Sequence, residues 1–302
     1  MAEQLSSPLS TGGAGVIFEY RVAAIMFSRL LRGAHIPVGV QMPLARVALQ
    51  QRNSGYPLDD IVAYAEPLGS APSIQIQVKR SLRVTSQDTE FIKVITAALG
   101  VCQTRAEDVR SGQLLLGLAA RAPVADLEEL AALAEMAQAH ADPDGLQDLL
   151  REGITSSKLR ARFEHVVSAV ASTASTSDRK EATHLAHGIL TGLHVWHVLA
   201  GPDDRDWRLE LDHLSGVASG TSKTAADLMD HLYVIAQEFG PRSGLVDRDH
   251  LHRVLLSRFG VRLSPPDAST RGPAGRINIV NNGSGTVIAG ESQVFYGLRV
   301  GN

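Results

Sequence analysis

Ile74-Gln75-Ile76-Gln77-Val78-Lys79-Arg80 alternates strictly, with Ile74, Ile76 and Val78 on one side and Gln75, Gln77 and Lys79 on the other. A period of two means a strand with one apolar and one polar face. Gln77 and Lys79 are two apart, so their side chains project from the same face. The bland function of such a lysine is to keep an edge strand from pairing with other chains.

Upstream, Asp59-Asp60-Ile61-Val62-Ala63-Tyr64 reads as a strand opened by two acids, and Ala65 to Pro72 as a turn-rich connection. Residues 59–80 are therefore predicted to form a hairpin. A turn centred near Gly69-Ser70 sets Asp60 opposite Lys79 and Val62 opposite Gln77, whereas one residue of slip sets Asp59 there instead. Neighbouring residues face opposite sides of a strand, so one aspartate is expected at the site, and Asp59 is preferred. Two carboxylates, an amide and a lysine suit magnesium-dependent cleavage of a phosphodiester.

Before the hairpin, Gly12-Gly13-Ala14-Gly15 leads into an apolar helix, Val16 to Leu31. Without a following Gly-Lys-Ser/Thr, the glycines do not make a nucleotide loop. Glu19 lies in this helix among Gly15, Val16, Val22, Ala23, Met26 and Leu30, where a carboxylate is costly unless paired or bound to metal. Its explanations are a metal site, a place at the stripe's edge where it reaches water, or a pairing with Arg21 or another arginine. Ile36 to Leu49 reads as an irregular strand, Thr89 to Leu99 as a helix capped by Ser86 or Asp88 and ended by Gly100, and Gln113 to Ala119 as a buried strand.

From Pro123 to Val261 the pattern reads as helical throughout, including one helix over 178–199. Its four histidines, His184, His187, His194 and His197, would share a face and could together bind a transition metal, although packing and surface positions explain them better. Leu263 to Gly275 has linker composition, and 276–302 alternates again around Asn281-Asn282-Gly283-Ser284-Gly285 as a small β-hairpin. The expected organisation is thus an α/β core over 1–122 (helix, three strands, helix, strand), an all-α region over 123–262, a linker over 263–275 and a β-hairpin over 276–302. That last segment reads either as the start of a further module or as a piece that docks on a partner chain.

The 302 residues carry a net charge of −3, which excludes a global polycation. Residues 1–83 nevertheless hold eight Lys/Arg against five acids, leaving −6 for the rest. Cys102 is the only cysteine, so neither an intrachain disulfide nor a cysteine-rich zinc site can form, in keeping with a reducing cytoplasm. No run of 18 apolar residues suggests a membrane span, and the basic start of a signal peptide is missing. No Gly-x-Ser-x-Gly elbow supports a serine hydrolase.

Glu19, then Asp59/Asp60, then Gln77-Val78-Lys79 resembles the PD-(D/E)xK restriction-endonuclease-like superfamily, with Gln77 replacing the acid of the last motif. More narrowly, GGAGVIFEYRVAA (12–24), LDDIVAY (58–64) and IQIQVKRS (74–81) resemble the N-terminal double-stranded DNA endonuclease domain of bacterial anti-phage effectors of cyclic-oligonucleotide type. That resemblance covers about residues 12–120, and the helical stretch resembles less specifically the extension that follows such nucleases. It implies a nuclease core and Mg²⁺, with Mn²⁺ as a substitute, held by Glu19, Asp59 or Asp60, and Gln77. Lys79 would orient the attacking water or stabilise the transition state, and Arg80 and Arg83 would contact DNA phosphates. Gln in place of an acid lowers the ligand charge by one. Double-stranded DNA, a homo-oligomer, and a sensor or partner protein engaged through the helices and terminal hairpin are the expected partners, without a membrane. The alternative is a non-catalytic helical adaptor carrying a degenerate nuclease fold.

Overall fold

The computed structural model describes residues 13–51 and 56–263; the linker beyond Leu263 and the 276–302 hairpin lie outside the described residues. The first helix, α1 (Gly13–Arg32), precedes three strands: β1 (Leu44–Leu49), β2 (Ile61–Ala65) and β3 (Ser73–Lys79). Helices α2 (Thr89–Thr104) and α3 (Ala106–Arg110) then lead to β4 (Leu114–Ala120). Next come α4 (Val124–Ala139), α5 (Pro143–Leu149), α6 (Ser157–Ala174), α7 (Arg179–Gly192) and β5 (Leu193–His197). The described chain closes with α8 (Arg205–Ala218), α9 (Ala225–Phe239), β6 (Leu245–Asp247) and α10 (Arg248–Phe259). This is a mixed α/β fold, with one six-stranded sheet among the described residues in the order β5-β4-β3-β2-β1-β6.

Strands β3, β4 and β5 run parallel, while β1 pairs antiparallel with both β2 and β6. The sheet separates two apolar clusters. On one side, α1, α8, α9 and α10 pack on Val47, Ile61, Ala63, Ile74, Ile76 and Val78. On the other, α2 to α7 pack around Leu114, Leu116, Leu118 and Leu193. Helix α1 is apolar nearly all round because it is enclosed, with Val22, Ala24, Met26 and Phe27 wholly buried. Each large aliphatic enclosed this way contributes roughly 1.5–3 kcal/mol. Gly117 faces Ile76 across the β3–β4 ladder, where an added Cβ would come within 2.8 Å of the isoleucine side chain, so only glycine fits without a shift.

Three expectations need correction. The 123–262 stretch is not helical throughout, because it supplies β5 and β6 to the same sheet as β1 to β4. Helix α7 stops at Gly192, and Leu193-His194-Val195-Trp196-His197 then runs beside Leu116–Ala120. The β-branched and aromatic side chains there suit a strand. His194 and His197 consequently leave the helix that carries His184 and His187. Second, the β2–β3 register differs: Ile61 pairs with Ile76 and Val62 with Gln75, so continuing it puts Asp60 across from Gln77 rather than Lys79. The turn centres between Leu68 and Gly69, with Gly69 at φ +87°, about one residue earlier than composition suggested. Third, α2 continues through Gly100 to Thr104.

Candidate active site

The ends of β2 and β3 meet α1 and the start of α2, and four elements thereby contribute to one place. Asp60 stands one residue before β2. Its Oδ2 accepts hydrogen bonds from the backbone N–H of Val78 at 2.7 Å and from Gln77 Nε2 at 2.5 Å. Gln77 is therefore nearly buried with its amide nitrogen committed to Asp60, and Gln75 beside it is 1% exposed. The polar face of β3 is covered rather than bathed in water.

Glu19 faces this group from α1, which packs on β1 and β3. Burial raises its pKa; Lys79 pulls it down, and Asp59 and Glu90 push it up. Burial, then the Glu19 carboxylate, push Asp60 up to about 7. Among the described residues Glu19 makes no ion pair with an arginine, and Arg29 and Arg32 of α1 bind Glu210 of α8 at 2.9 and 2.6 Å. Glu19 and Asp60 thus stand as two mutually repelling carboxylates, an arrangement that favours either a shared proton or a bound cation.

Lys79 turns toward α2. Its Nζ lies 3.1 Å from Glu90 Oε2, and Glu90 Oε1 accepts from Lys93 at 2.6 Å. Those bonds, Lys93 first, hold Glu90 below the usual carboxylate range. Beside them is a cleft of about 510 Å³, lined by Tyr56, Asp59, Gln77, Lys79, Lys93 and Thr96 among others. Glu90 and Lys93 were not legible as site residues. An acid in the first turn of a helix complements the helix dipole and draws no notice, and only the fold brings it to Lys79.

Arg80 is exposed beyond the end of β3. Arg83 is turned to Asp126, its Nε 3.2 Å from Oδ2. Asp126, at the start of α4 and 5% exposed, also accepts from Val84 N–H at 3.1 Å and from Arg162 Nη2 at 2.8 Å. Arg162 donates in addition to the Val84 carbonyl and pairs with Glu129. The loop between β3 and α2 is thereby tied to α4 and α6.

Among the described residues, no group of three or more His, Cys, Asp or Glu side chains is placed to hold a metal ion. This goes against a transition-metal cage, the four histidines included. Mg²⁺ asks for less: one or two carboxylates, with water and substrate oxygens completing its octahedron. Glu19 and Asp60, hard oxygen donors of which the first pushes the pKa of the second up, fit that demand. Nor is any helix among the described residues long and apolar enough to cross a membrane.

No protein-family model matches the chain, and no curated protein matches it. One solved structure similar to it is the Moraxella osloensis Cap4 SAVED/CARF-domain containing receptor, at 12% identity and a TM-score of 0.41. The match covers 81% of this chain and 47% of that one, so the chain spans less than half of the receptor's length.

Proposed function

We propose that this protein is a metal-dependent double-stranded DNA endonuclease of the PD-(D/E)xK type, acting in anti-phage defence. The observation that carries the reading is that Asp59, Gln77 and Lys79, distant in sequence, line one open cleft, while Asp60 behind it binds Gln77 and feels the charges of Glu19 and Lys79. The element order helix, three strands, helix, strand through residue 120 agrees with it, interrupted only by the short α3. The defence role rests on the sequence motifs of residues 12–24, 58–64 and 74–81.

Glu19 and Asp60 would hold Mg²⁺, or Mn²⁺ in its place, with Asp59 and the Gln77 carbonyl oxygen at hand. Bound there, the ion supplies Lewis-acid activation of water and neutralises charge at the phosphate. Gln77, donating to Asp60, fixes which carboxylate oxygen is left for the ion. Lys79 places a compact positive charge beside the phosphate that the cleft receives. Arg80, exposed just beyond β3, would contact a neighbouring phosphate, which gives affinity without sequence choice. Arg83 is the weaker candidate, since Asp126 already engages it. A homo-oligomer, and a sensor or partner protein bound through the helices, belong to the same proposal.

The test is supercoiled plasmid incubated with the protein in Mg²⁺, Mn²⁺ or EDTA. Nicking and linearisation with either metal, and none in EDTA, support the reading; an inert protein under all three conditions favours the adaptor.

A further inference from the structure

We propose that Glu90 is a positioning residue that holds Lys79 away from the carboxylates of the site and so keeps those carboxylates available to a divalent cation. The proposal rests on reading the cleft as a metal-dependent DNA-cleaving site.

Lysine is a point charge on a flexible four-carbon stem, and its place is set by whichever anion holds it. Lys79 has two sets of anions within reach. Glu19 and Asp60 both feel its charge, which lowers the pKa of each. Yet its ion pair is with Glu90 Oε2 of α2 at 3.1 Å, and not with either of those acids. Glu90 is itself anchored: Lys93 takes its other oxygen at 2.6 Å, and α2 is fixed at its start by Asp88, whose side chain accepts from Phe91 N–H at 2.9 Å. Each Glu90 oxygen therefore has its own ammonium group.

Released from Glu90, the Lys79 ammonium would be drawn to the carboxylates whose charge it already feels, Glu19 and Asp60. It would then neutralise those carboxylates internally and compete with a divalent cation for them. Held by Glu90, it stays at the cleft wall, where an incoming phosphate can meet it. Lys93 offsets the negative charge that Glu90 would otherwise bring to the cleft.

Glu90→Gln preserves shape and hydrogen bonding while removing the charge. The expected results are an affinity for Mg²⁺, read by calorimetry or by the Mg²⁺-induced rise in melting temperature, that is about tenfold weaker, and a kcat for plasmid cleavage roughly 10–100-fold lower with KM for DNA unchanged. The deciding arm repeats the Mg²⁺ titration in a Lys79→Ala background. If Glu90 acts through Lys79, Glu90→Gln changes Mg²⁺ affinity there by less than about twofold. Equal weakening in both backgrounds would show that Glu90 is only a distant negative charge and would overturn the proposal. So would an active wild type alongside an equally active, equally Mg²⁺-binding Glu90→Gln, which leaves the nuclease reading intact. A wild type that neither binds Mg²⁺ nor cuts DNA overturns both.

Discussion

Asp60 is where local geometry and charge conflict most openly. Its oxygen is well satisfied by Val78 N–H and Gln77, yet burial and the Glu19 carboxylate push its pKa up to about 7. A folded pKa above the unfolded value means that the folded state binds more protons, so this group's contribution to stability is fully present below about pH 4 and is lost as the pH rises to about 7. The metal-free protein in EDTA should accordingly lose stability across that window. Asp60→Asn cannot ionise and keeps an acceptor for Val78, so it should flatten the slope and melt at least as high as wild type at pH 7. Denaturation at several pH values compares them; parallel profiles for the two proteins would mean that Asp60 does not titrate in this range.

At the scale of elements, the segment between β3 and α2 links β3 to the helices behind it. Asp126 binds Val84, Arg83 and Arg162 at once, and it is almost wholly buried. Asp126→Ala should cost about 3 kcal/mol, since it strands the buried Val84 N–H and deprives Arg162 of one of its two acidic partners. Arg83→Ala should cost less than about 1 kcal/mol, because that arginine is mostly in water. Urea unfolding measures both; similar losses for the two would remove Asp126 from its central place.

The same elements show what the sequence could and could not disclose. The alternation of Ile74–Lys79 placed β3, and the acids before Ile61 placed the start of β2, because period two and turn residues are local signals. Register was not local. It hung on whether the turn centred at Leu68-Gly69 or one residue later, and that choice decides whether Asp60 meets Gln77 or Lys79. Strand β5 was hidden because His184, His187, His194 and His197 fit a helical spacing that runs on past Gly192. Strand β6, three residues long, is too short to show any period. Glu19 stood out as a carboxylate in an apolar stripe, whereas Glu90, in the first turn of an ordinary amphipathic helix, did not.

For the whole molecule, the sheet takes its two outer strands from beyond residue 122, and α8, α9 and α10 cover the face on which α1 packs. A chain cut after residue 122 would expose β1 and β4 as bare edges and uncover the apolar surface of α1. Such a fragment should aggregate or unfold without a cooperative transition, as circular dichroism melts would register; a sharply melting, monomeric fragment would mean that the later helices are dispensable to the core. The helices after residue 122 thus stabilise the sheet end that carries Asp60, Gln77 and Lys79, and DNA cleavage at this end is what we propose. Its most direct measurement is plasmid cleavage in Mg²⁺ by wild type and by Lys79→Ala, side by side, with melting temperatures recorded for both. Wild type is expected to nick and linearise the plasmid in a metal-dependent way, and a Lys79→Ala protein that melts like wild type is expected to do neither. Undiminished nicking by Lys79→Ala would contradict the proposal.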